Sequence, residues 1–522
     1  KEGEKGVRFF DTDLSTAGTP DWYAICDVRE FVGKPLTITS DSPLPETVIR
    51  QLSSLFLQSD VPVREKDLYQ EALRPQFHFT VKRGWNNDPN GLCYFNGEYH
   101  LFYQYIPTSL MVGDFRYMHW GHAVSPDLVH WTELSPAIHP VDGGIYSGGA
   151  YVDKENRSGF GKGKEEVLLV TYTGTGERIA YATGRAETFQ EPADNPIVRH
   201  RGRDPKILYY PPKEKWIMIV FEEEEGVPAG YAFYDSKDLK SWRRMFQVDG
   251  GHECPDFFEM PVQGGESKWV IGGALRGSLG KEKEGKEVFY RSTYRVGTFD
   301  GEKFIPETDW QQGVIGPSFY AGQTFSNTPD GRRILIGWLQ NDGYPGMAFT
   351  QGMTLPMEMK LHKTEQGYSM TYFPVKEIEL LHEETVRGEN LNMAAANQFL
   401  EKGNADLLDI DLEIAMGKSS KFEIGVRGGS IQYNASTKEL SVKGTKEGKT
   451  SIALMEGKLK LRILLDRSTL DVFVNDGVAA FNVSGAIFQK PDPLKINADP
   501  DVTVTSIVLS RMKSAWQESR AK

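Results

Sequence analysis

Three short segments of the 522-residue chain set acidic residues among amide, basic and turn-forming neighbours: Trp85-Asn86-Asn87-Asp88-Pro89-Asn90-Gly91, Arg203-Asp204-Pro205-Lys206 and His252-Glu253-Cys254-Pro255-Asp256. The chain holds 72 carboxylates, so local context has to select the reactive ones. Asp88 and Asp204 each precede a proline, whose ring restricts them to extended backbone and fixes where the carboxylate points. A preset carboxylate suits a nucleophile or a charge stabiliser. Asn87 and Asn90 can donate hydrogen bonds that keep Asp88 ionised, and Arg203 beside Asp204 is expected to hold that carboxyl down as well. Glu253 is followed by Pro255, Phe257 and Phe258, a less polar setting that would raise it toward the range of a general acid. Taken singly, each segment reads equally as an ordinary turn or a surface ion pair.

Aromatic residues add a substrate class. Phe102-Tyr103-Gln104-Tyr105, Phe115, Trp120, Tyr146-Ser147-Gly148 and Trp338 combine flat apolar faces with hydroxyl and amide groups, which suits a polyol with CH-rich faces. Tyr103 and Trp131 are expected in the core, Gln104 and Ser147 in the pocket. Other chemistries find little support. His119 and His122 fall on opposite faces of a strand, a poor metal pair. There is no Gly-x-Ser-x-Gly elbow and no Walker-type Gly-Lys-Ser/Thr, and the glycines between Gly159 and Lys164 read as a solvated turn. Cys26, Cys93 and Cys254 are too few for a disulfide framework and too scattered for zinc. The net charge of -12 is the wrong sign for nucleic acid or anionic lipid, and no apolar run approaches the ~20 residues of a membrane-spanning helix.

The elements that must position these groups read as an all-β protein. Apolar bursts such as Val167-Leu168-Leu169-Val170 and Trp216 to Phe221 are bounded by Gly, Pro, Asn and Asp. The spacing S-x-D-L-x-x-W occurs from Ser125 to Trp131 and again from Ser236 to Trp242, a separation that fits two repeats of ~50 residues, the size of one propeller blade. Gly297-Thr298-Phe299-Asp300-Gly301 is a further aromatic-plus-turn segment of the same kind. Helices are expected only over Glu46 to Gln58, with Val48, Leu52, Leu55 and Phe56 on one face, and after Pro374 through Ile378, Leu380 and Leu381. Beyond that point Leu408, Ile410, Leu412 and Ile414 alternate with Asp409, Asp411 and Glu413. That period of two buries one face and leaves the other wet; Leu459, Leu461 and Ile463 repeat it, as do Leu470, Val472 and Val474 before the Asn475-Asp476-Gly477 turn, which together predict an antiparallel sandwich. The first 70 or so residues, with mixed short strands and the charged stretch Arg64 to Asp67, read as a small separate domain.

The three acidic segments, in this order, resemble glycoside hydrolase family 32, the invertases, inulinases and levanases, whose signature runs W-M-N-D-P-N-G, R-D-P and E-C-P. Further shared motifs are Phe102-Tyr103-Gln104, Trp120-Gly121-His122-Ala123, Tyr146-Ser147-Gly148, Phe319-Tyr320-Ala321, Gly337-Trp338, Met353-Thr354-Leu355-Pro356, Asp466-Arg467-Ser468 and Val472-Phe473-Val474-Asn475-Asp476-Gly477, so the likeness spans roughly Arg74 to Arg511. The resemblance implies an all-β fold: a five-bladed β-propeller followed by a C-terminal β-sandwich, with a small extra N-terminal domain. The expected divisions are 1–72, 73–373 for the propeller, 374–384 for a linker helix and 385–522 for the sandwich.

The resemblance also implies retaining hydrolysis of β-fructofuranosides. Asp88 would be the nucleophile, Glu253 the acid and base, and Asp204 the residue that holds ring hydroxyls, with the Asp88 and Glu253 carboxyls about 5 Å apart. Asn87, Gln104, Phe115, Trp120, Tyr146, Ser147, Arg203 and Trp338 are the expected substrate contacts. No metal or organic cofactor is required, and the expected partner is a fructan or fructo-oligosaccharide, with no nucleic acid and no membrane insertion. The chain departs from the family pattern at Asn86, at Phe115-Arg116-Tyr117, at Ser318 and at Gln351, changes that bear on the pocket wall. The expected activity is release of terminal fructose from levan, inulin or sucrose. An endo-levanase or fructosyltransferase with the same three acids, or a non-catalytic fructan-binding protein, are the alternatives. A polymeric substrate places the protein outside the cytoplasm by analogy.

Overall fold

A computed structural model describes the chain apart from residues 1–5, 10–11, 13–21, 41–42, 51–55, 61–67, 141–143, 200–201, 224–225, 227, 278–287, 404, 419, 486–487, 489–491 and 517–522. Its strands form seven sheets, five in the first part of the chain and two in the last. The five innermost strands are Gly84–Phe95, Gly148–Asp153, Gly202–Tyr210, Gly251–Pro261 and Phe319–Thr324. They pack on one another in sequence, and the last packs on the first, so the sheets close into a ring of blades I to V. Phe349–Thr350, from the blade V segment of the chain, pairs in parallel with Gly84 and Trp85 of blade I and fastens the closure.

The recurrent motif marks one turn in different blades. In blade I, Asp127 Oδ1 accepts from the N–H groups of Val129 and His130 at 3.0 and 2.8 Å, and the Trp131 indole donates to the Leu128 carbonyl at 3.0 Å. In blade III, Asp238 Oδ1 accepts from Lys240 and Ser241 at 2.9 and 2.8 Å, and Trp242 donates to Leu239 at 3.2 Å. Leu128 and Leu239 share a left-handed backbone, φ 70° and 62°. Asp300 in blade IV accepts from Glu302 and Lys303 in the same way. All three turns join the third strand of a blade to the fourth. At the centre of the ring Lys206 of blade III is ion-paired with Asp256 of blade IV, whose other oxygen accepts from Thr324 N of blade V at 2.7 Å.

The sandwich consists of a six-stranded and a five-stranded sheet around one core of Leu, Ile, Val and Phe side chains. Leu408–Ala415 alternates as expected with Leu408, Ile410, Leu412 and Ile414 buried, but Asp409 on the opposite face is buried too, 3% exposed. It accepts two hydrogen bonds from Arg462 and lies 2.9 Å from His382. That face is only partly wet because the propeller covers the sheet: Leu464, Phe473 and Ala480 pack with Phe319, Met357 and Tyr372 of blade V. Burial of a charge requires such a partner, which Arg462 supplies.

The two expected helices shrink, and one that was not expected, Met393–Leu400, packs Ala396, Phe399 and Leu400 into the sandwich core. An α-helix covers Glu46–Ile49, with Val48 buried, and Leu52 and Leu55 lie outside the described residues, as does Arg64 to Asp67. The segment after Pro374 forms a six-residue 3-10 helix, Lys376–Leu381, and His382–Leu391 already runs as an edge strand of the six-stranded sheet. Before residue 73 the described residues run as irregular chain and single helical turns, and none of the mixed short strands expected there occurs among them. Part of it lies on blade I: Arg83 Nη1 donates to the Tyr23 carbonyl at 2.7 Å, and the Ser135 hydroxyl donates to Asp27. Among the described residues no helix is long and apolar enough to cross a membrane.

Candidate active site

Four of the five innermost strands break register in one layer of the propeller: between Asn86 and Pro89, Arg203 and Lys206, His252 and Asp256, and Tyr320 and Gln323. A bulge turns side chains that would otherwise alternate across the sheet toward a common point. Asp204, Glu253, Cys254 and Ala321 in these bulges take positive φ, 68°, 47°, 46° and 49°. Each costs roughly 1–3 kcal/mol, a strain characteristic of working sites. Asp204 is therefore not extended as its following proline suggested. The bulge overrides the local steric preference and swings its carboxylate toward blade IV.

The result brings Asp88, Asp204 and Glu253 together around Cys254. The Cys254 N–H donates to Asp204 Oδ2 at 2.8 Å, and its thiol lies 3.5 Å from Asp88 Oδ2. Asp88 Oδ2 also accepts from Ser147 Oγ at 2.7 Å, and the Asn87 amide reaches Oδ1 at 3.4 Å. Among the described residues no hydrogen bond joins Asn90 to Asp88. With its amide turned to satisfy both ends, it donates to Ser147 Oγ at 3.3 Å and so acts one residue removed. Arg203 pairs with Glu253 rather than with its neighbour Asp204, donating from Nη2 to Oε1 at 2.6 Å. The Tyr320 hydroxyl donates to the other oxygen, Oε2, and His252 Nε2 lies 3.6 Å from it.

These contacts invert the protonation order expected from neighbours in sequence. Burial is the largest influence on Asp88 and lifts it to about 6, reinforced by the Glu253 charge and opposed by the Ser147, Cys254 and Asn87 hydrogen bonds. Burial likewise lifts Asp204 to about 8, against the Cys254 N–H. Burial acts on Glu253 in the same sense, but the hydrogen bonds from Tyr320 and Arg203, with the Arg203 charge, outweigh it and leave Glu253 below the ordinary range. A residue-by-residue reading could not supply this, because the decisive partners of Glu253 come from other blades.

The expected substrate contacts divide into two groups. Ser147, Asn87 and Arg203 touch the acids directly. Phe115 and Tyr146 stack on each other, ring centroids 5.7 Å apart, with 44% and 38% of their surfaces exposed. Trp338 is half-buried, 6.0 Å from Trp85 and 6.2 Å from Tyr320. Gln104 is buried with its amide nitrogen unpartnered among the described residues. Trp120 differs from expectation: it is fully buried in the apolar core between blades I and II, among Phe102, Ala150 and Tyr172, and its indole N–H donates to the Tyr146 carbonyl at 3.0 Å. It positions Tyr146 rather than facing the opening. Tyr103 and Trp131 are core residues as expected.

The departures from the family pattern take different places. Gln351 accepts from the Trp338 indole at 3.1 Å and from Asn341 N at 3.0 Å, which fixes the orientation of Trp338. Ser318 faces the sandwich, its hydroxyl accepting from Ser484 N at 3.1 Å. Asn86 is fully buried, and neither end of its amide has a partner among the described residues. Tyr320 and Cys254, which touch the acids, carried no role in the sequence reading; their only signal was membership in the motifs Phe319-Tyr320-Ala321 and Glu253-Cys254-Pro255 that carry the resemblance.

Comparison with known proteins agrees with this architecture. Residues 78–372 match the model of the glycosyl hydrolases family 32 N-terminal domain, and residues 377–506 that of the glycosyl hydrolases family 32 C terminal. The chain is 34% identical over 509 residues to a levanase of Bacillus subtilis, covering 87% of this chain and 72% of that one. It is 31% identical over 484 residues to a levanbiose-producing levanase of the same organism, covering 84% and 90%. In three dimensions it is similar to the exo-inulinase of Aspergillus awamori, with a TM-score of 0.73, 23% identity, and coverage of 86% and 100%. With both family models matched in order along one propeller and one sandwich, the chain belongs to glycosyl hydrolase family 32.

Proposed function

We propose that the protein is a retaining glycoside hydrolase that releases terminal β-D-fructofuranosyl residues from fructans such as levan and inulin and from sucrose. The observation that carries the reading is the convergence on Cys254, which joins Asp88 of blade I, Asp204 of blade III and its own neighbour Glu253 of blade IV in one cluster. Binding alone has no use for three carboxylates held this close, two of them raised by burial. Two relatives named as levanases are 34% and 31% identical to this chain over the aligned residues, which supports the fructoside specificity.

Asp88 attacks the anomeric C2 of the terminal fructose while Glu253 protonates the departing oxygen, giving a fructosyl-enzyme ester. Glu253, now a carboxylate, takes a proton from water, and the resulting attack on C2 frees fructose and restores Asp88. Asp204, with its carboxyl held near 8, is protonated at mildly acid pH and can both donate to and accept from ring hydroxyls. The double displacement needs neither metal nor organic cofactor. A polymeric substrate calls for a site outside the cytoplasm, in the periplasm, on the surface or secreted.

The test is product analysis with levan, inulin and sucrose, using the parent protein, Asp88→Asn and Glu253→Gln. Fructose as the first product, with turnover reduced by roughly 10²- to 10⁴-fold in Glu253→Gln and at least as much in Asp88→Asn, is the expected result. A ladder of oligosaccharides would convert the reading to endo cleavage or transfer. Near-normal rates in either variant would remove the mechanism.

A further inference from the structure

Phe289 stands out among the aromatic side chains around the acids because it is open to solvent, 42% exposed, yet held on both sides by groups that contact Glu253. Its ring centroid is 5.4 Å from that of His252, edge-on at 85°, and 5.8 Å from that of Tyr320. His252 and Tyr320 are the two residues at Glu253 Oε2. Phe289 lies on the blade IV strand Val288–Phe299, opposite Arg276 on the neighbouring strand. Arg276 in turn is 3.9 Å from Glu223, which is 3.9 Å from Arg203, the third partner of Glu253. Rings continue from Tyr320 to Trp338 and Trp85, so Phe289 is the exposed end of an aromatic series that crosses from Glu253 to the Asp88 side. The sequence reading passed over it because no motif surrounds it.

In a retaining hydrolase the acid lies on the leaving-group side of the scissile bond and the nucleophile on the opposite face of the fructose ring. Ser147, Asn87 and Cys254 crowd Asp88, which assigns that end to the fructosyl unit. Whatever stands open next to the partners of Glu253 therefore meets the leaving group. An exposed aromatic face with an ionic edge of Arg276 and Glu223 beside it offers a CH-rich sugar a stacking surface and hydrogen-bonding partners at once. We infer that Phe289 is the stacking platform for the leaving sugar, and that it sets how well the enzyme uses substrates whose leaving group is itself a sugar ring. The inference rests on the roles of Asp88 and Glu253 proposed above.

The experiment compares Phe289→Ala, Phe289→Trp and the parent on three substrates: a β-2,6-linked fructose disaccharide, sucrose and β-fructofuranosyl fluoride. Fluoride has no ring to stack and departs with little help from the acid, while the later hydrolysis of the fructosyl-enzyme is common to all three. Phe289→Ala should lower kcat/KM about tenfold on the two disaccharides, the scale of one lost stacking contact, and leave the fluoride within about twofold. Phe289→Trp should retain most of the parent rate on all three. Equal losses on fluoride and disaccharides would mean that Phe289 acts through Tyr320 and Glu253, and unchanged disaccharide rates would mean that it touches no leaving group; either result overturns the inference. A parent protein inactive on all three substrates would instead overturn the proposed function itself.

Discussion

Asp88 and Glu253 hold their protons in the order opposite to the one the proposed double displacement would use. As the proposed nucleophile Asp88 would have to be ionised, yet burial lifts it to about 6, and as the proposed acid Glu253 would have to be protonated, yet Tyr320 and Arg203 keep it below the ordinary glutamate range. The reactive form, with the single proton on Glu253, is then a minority of the singly protonated pair. The pair still titrates as one unit. Raising the pH through about 6 removes that last proton and ends acid catalysis, whereas lowering it below the Glu253 value adds the second proton to the pair, so that no form with an ionised Asp88 remains and attack ends. The expected kcat/KM profile on sucrose is bell-shaped, with its alkaline limb near pH 6 and its acid limb below the ordinary glutamate value. Initial rates at low substrate from about pH 3 to 8 check it, and a plateau extending to pH 8 would contradict it. That Asp88, Asp204 and Glu253 belong to one cluster was legible from short motifs. The protonation order was not, because sequence neighbours such as Arg203 and Asp204 turned out to have partners on other strands.

At the scale of the element, the blade turn was the most legible feature and the bulge the least. Ser125-Pro126-Asp127-Leu128 announces a turn because one short carboxylate can cap two consecutive N–H groups, a purely local arrangement. The bulges depend on pairing between strands far apart in sequence, and so the extended backbone expected at Asp204 gave way to φ 68°. Of the helix expected over Glu46 to Gln58, the described residues show Glu46–Ile49, with Val48 buried. The turns can be ranked by their contacts. Asp127 accepts from two backbone N–H groups, from the Ser125 hydroxyl and from His130 Nδ1 at 2.8 Å, and is mostly buried, while Asp238 lacks the histidine and is exposed. Asp127→Ala should therefore cost about 1–3 kcal/mol and Asp238→Ala about half as much, both with unchanged kcat. Urea midpoints would read the difference, and a larger loss from Asp238→Ala would contradict the ranking.

At the scale of the molecule, the sandwich is tied to the propeller by a buried charge as well as by the apolar contacts of Leu464 and Phe473. His78, at the entrance to blade I, lies fully buried between two sandwich carboxylates, with Nδ1 3.0 Å from Asp466 Oδ2 and Nε2 2.9 Å from Asp471 Oδ2. Asp466 also accepts from the backbone N–H groups of Gln76 and Phe77, so the chain leading into the first blade is bound to the sandwich before the ring begins. Asp466 lies in a string visible in the sequence, Asp466-Arg467-Ser468, but His78 and Asp471 carried no signal there, and nothing local specifies a pairing between residues 388 positions apart. Burial opposes a charge on His78; the Asp471 charge and the hydrogen bonds to both carboxylates outweigh it and lift the imidazole to about 9. Its unfolded value is about 6.5. The folded state thus binds the extra proton between these two values, and the stability it contributes is complete below about pH 6.5 and is lost as the pH rises through about 9. His78→Ala leaves two buried carboxylates without their cation and should cost about 3–5 kcal/mol near neutral pH. Melting temperatures of parent and variant measured from about pH 5 to 10 should show a gap that is constant at the acid end and narrows above pH 8. A gap that widens with pH would mean that His78 is neutral in the folded protein and that the two parts are joined by packing alone.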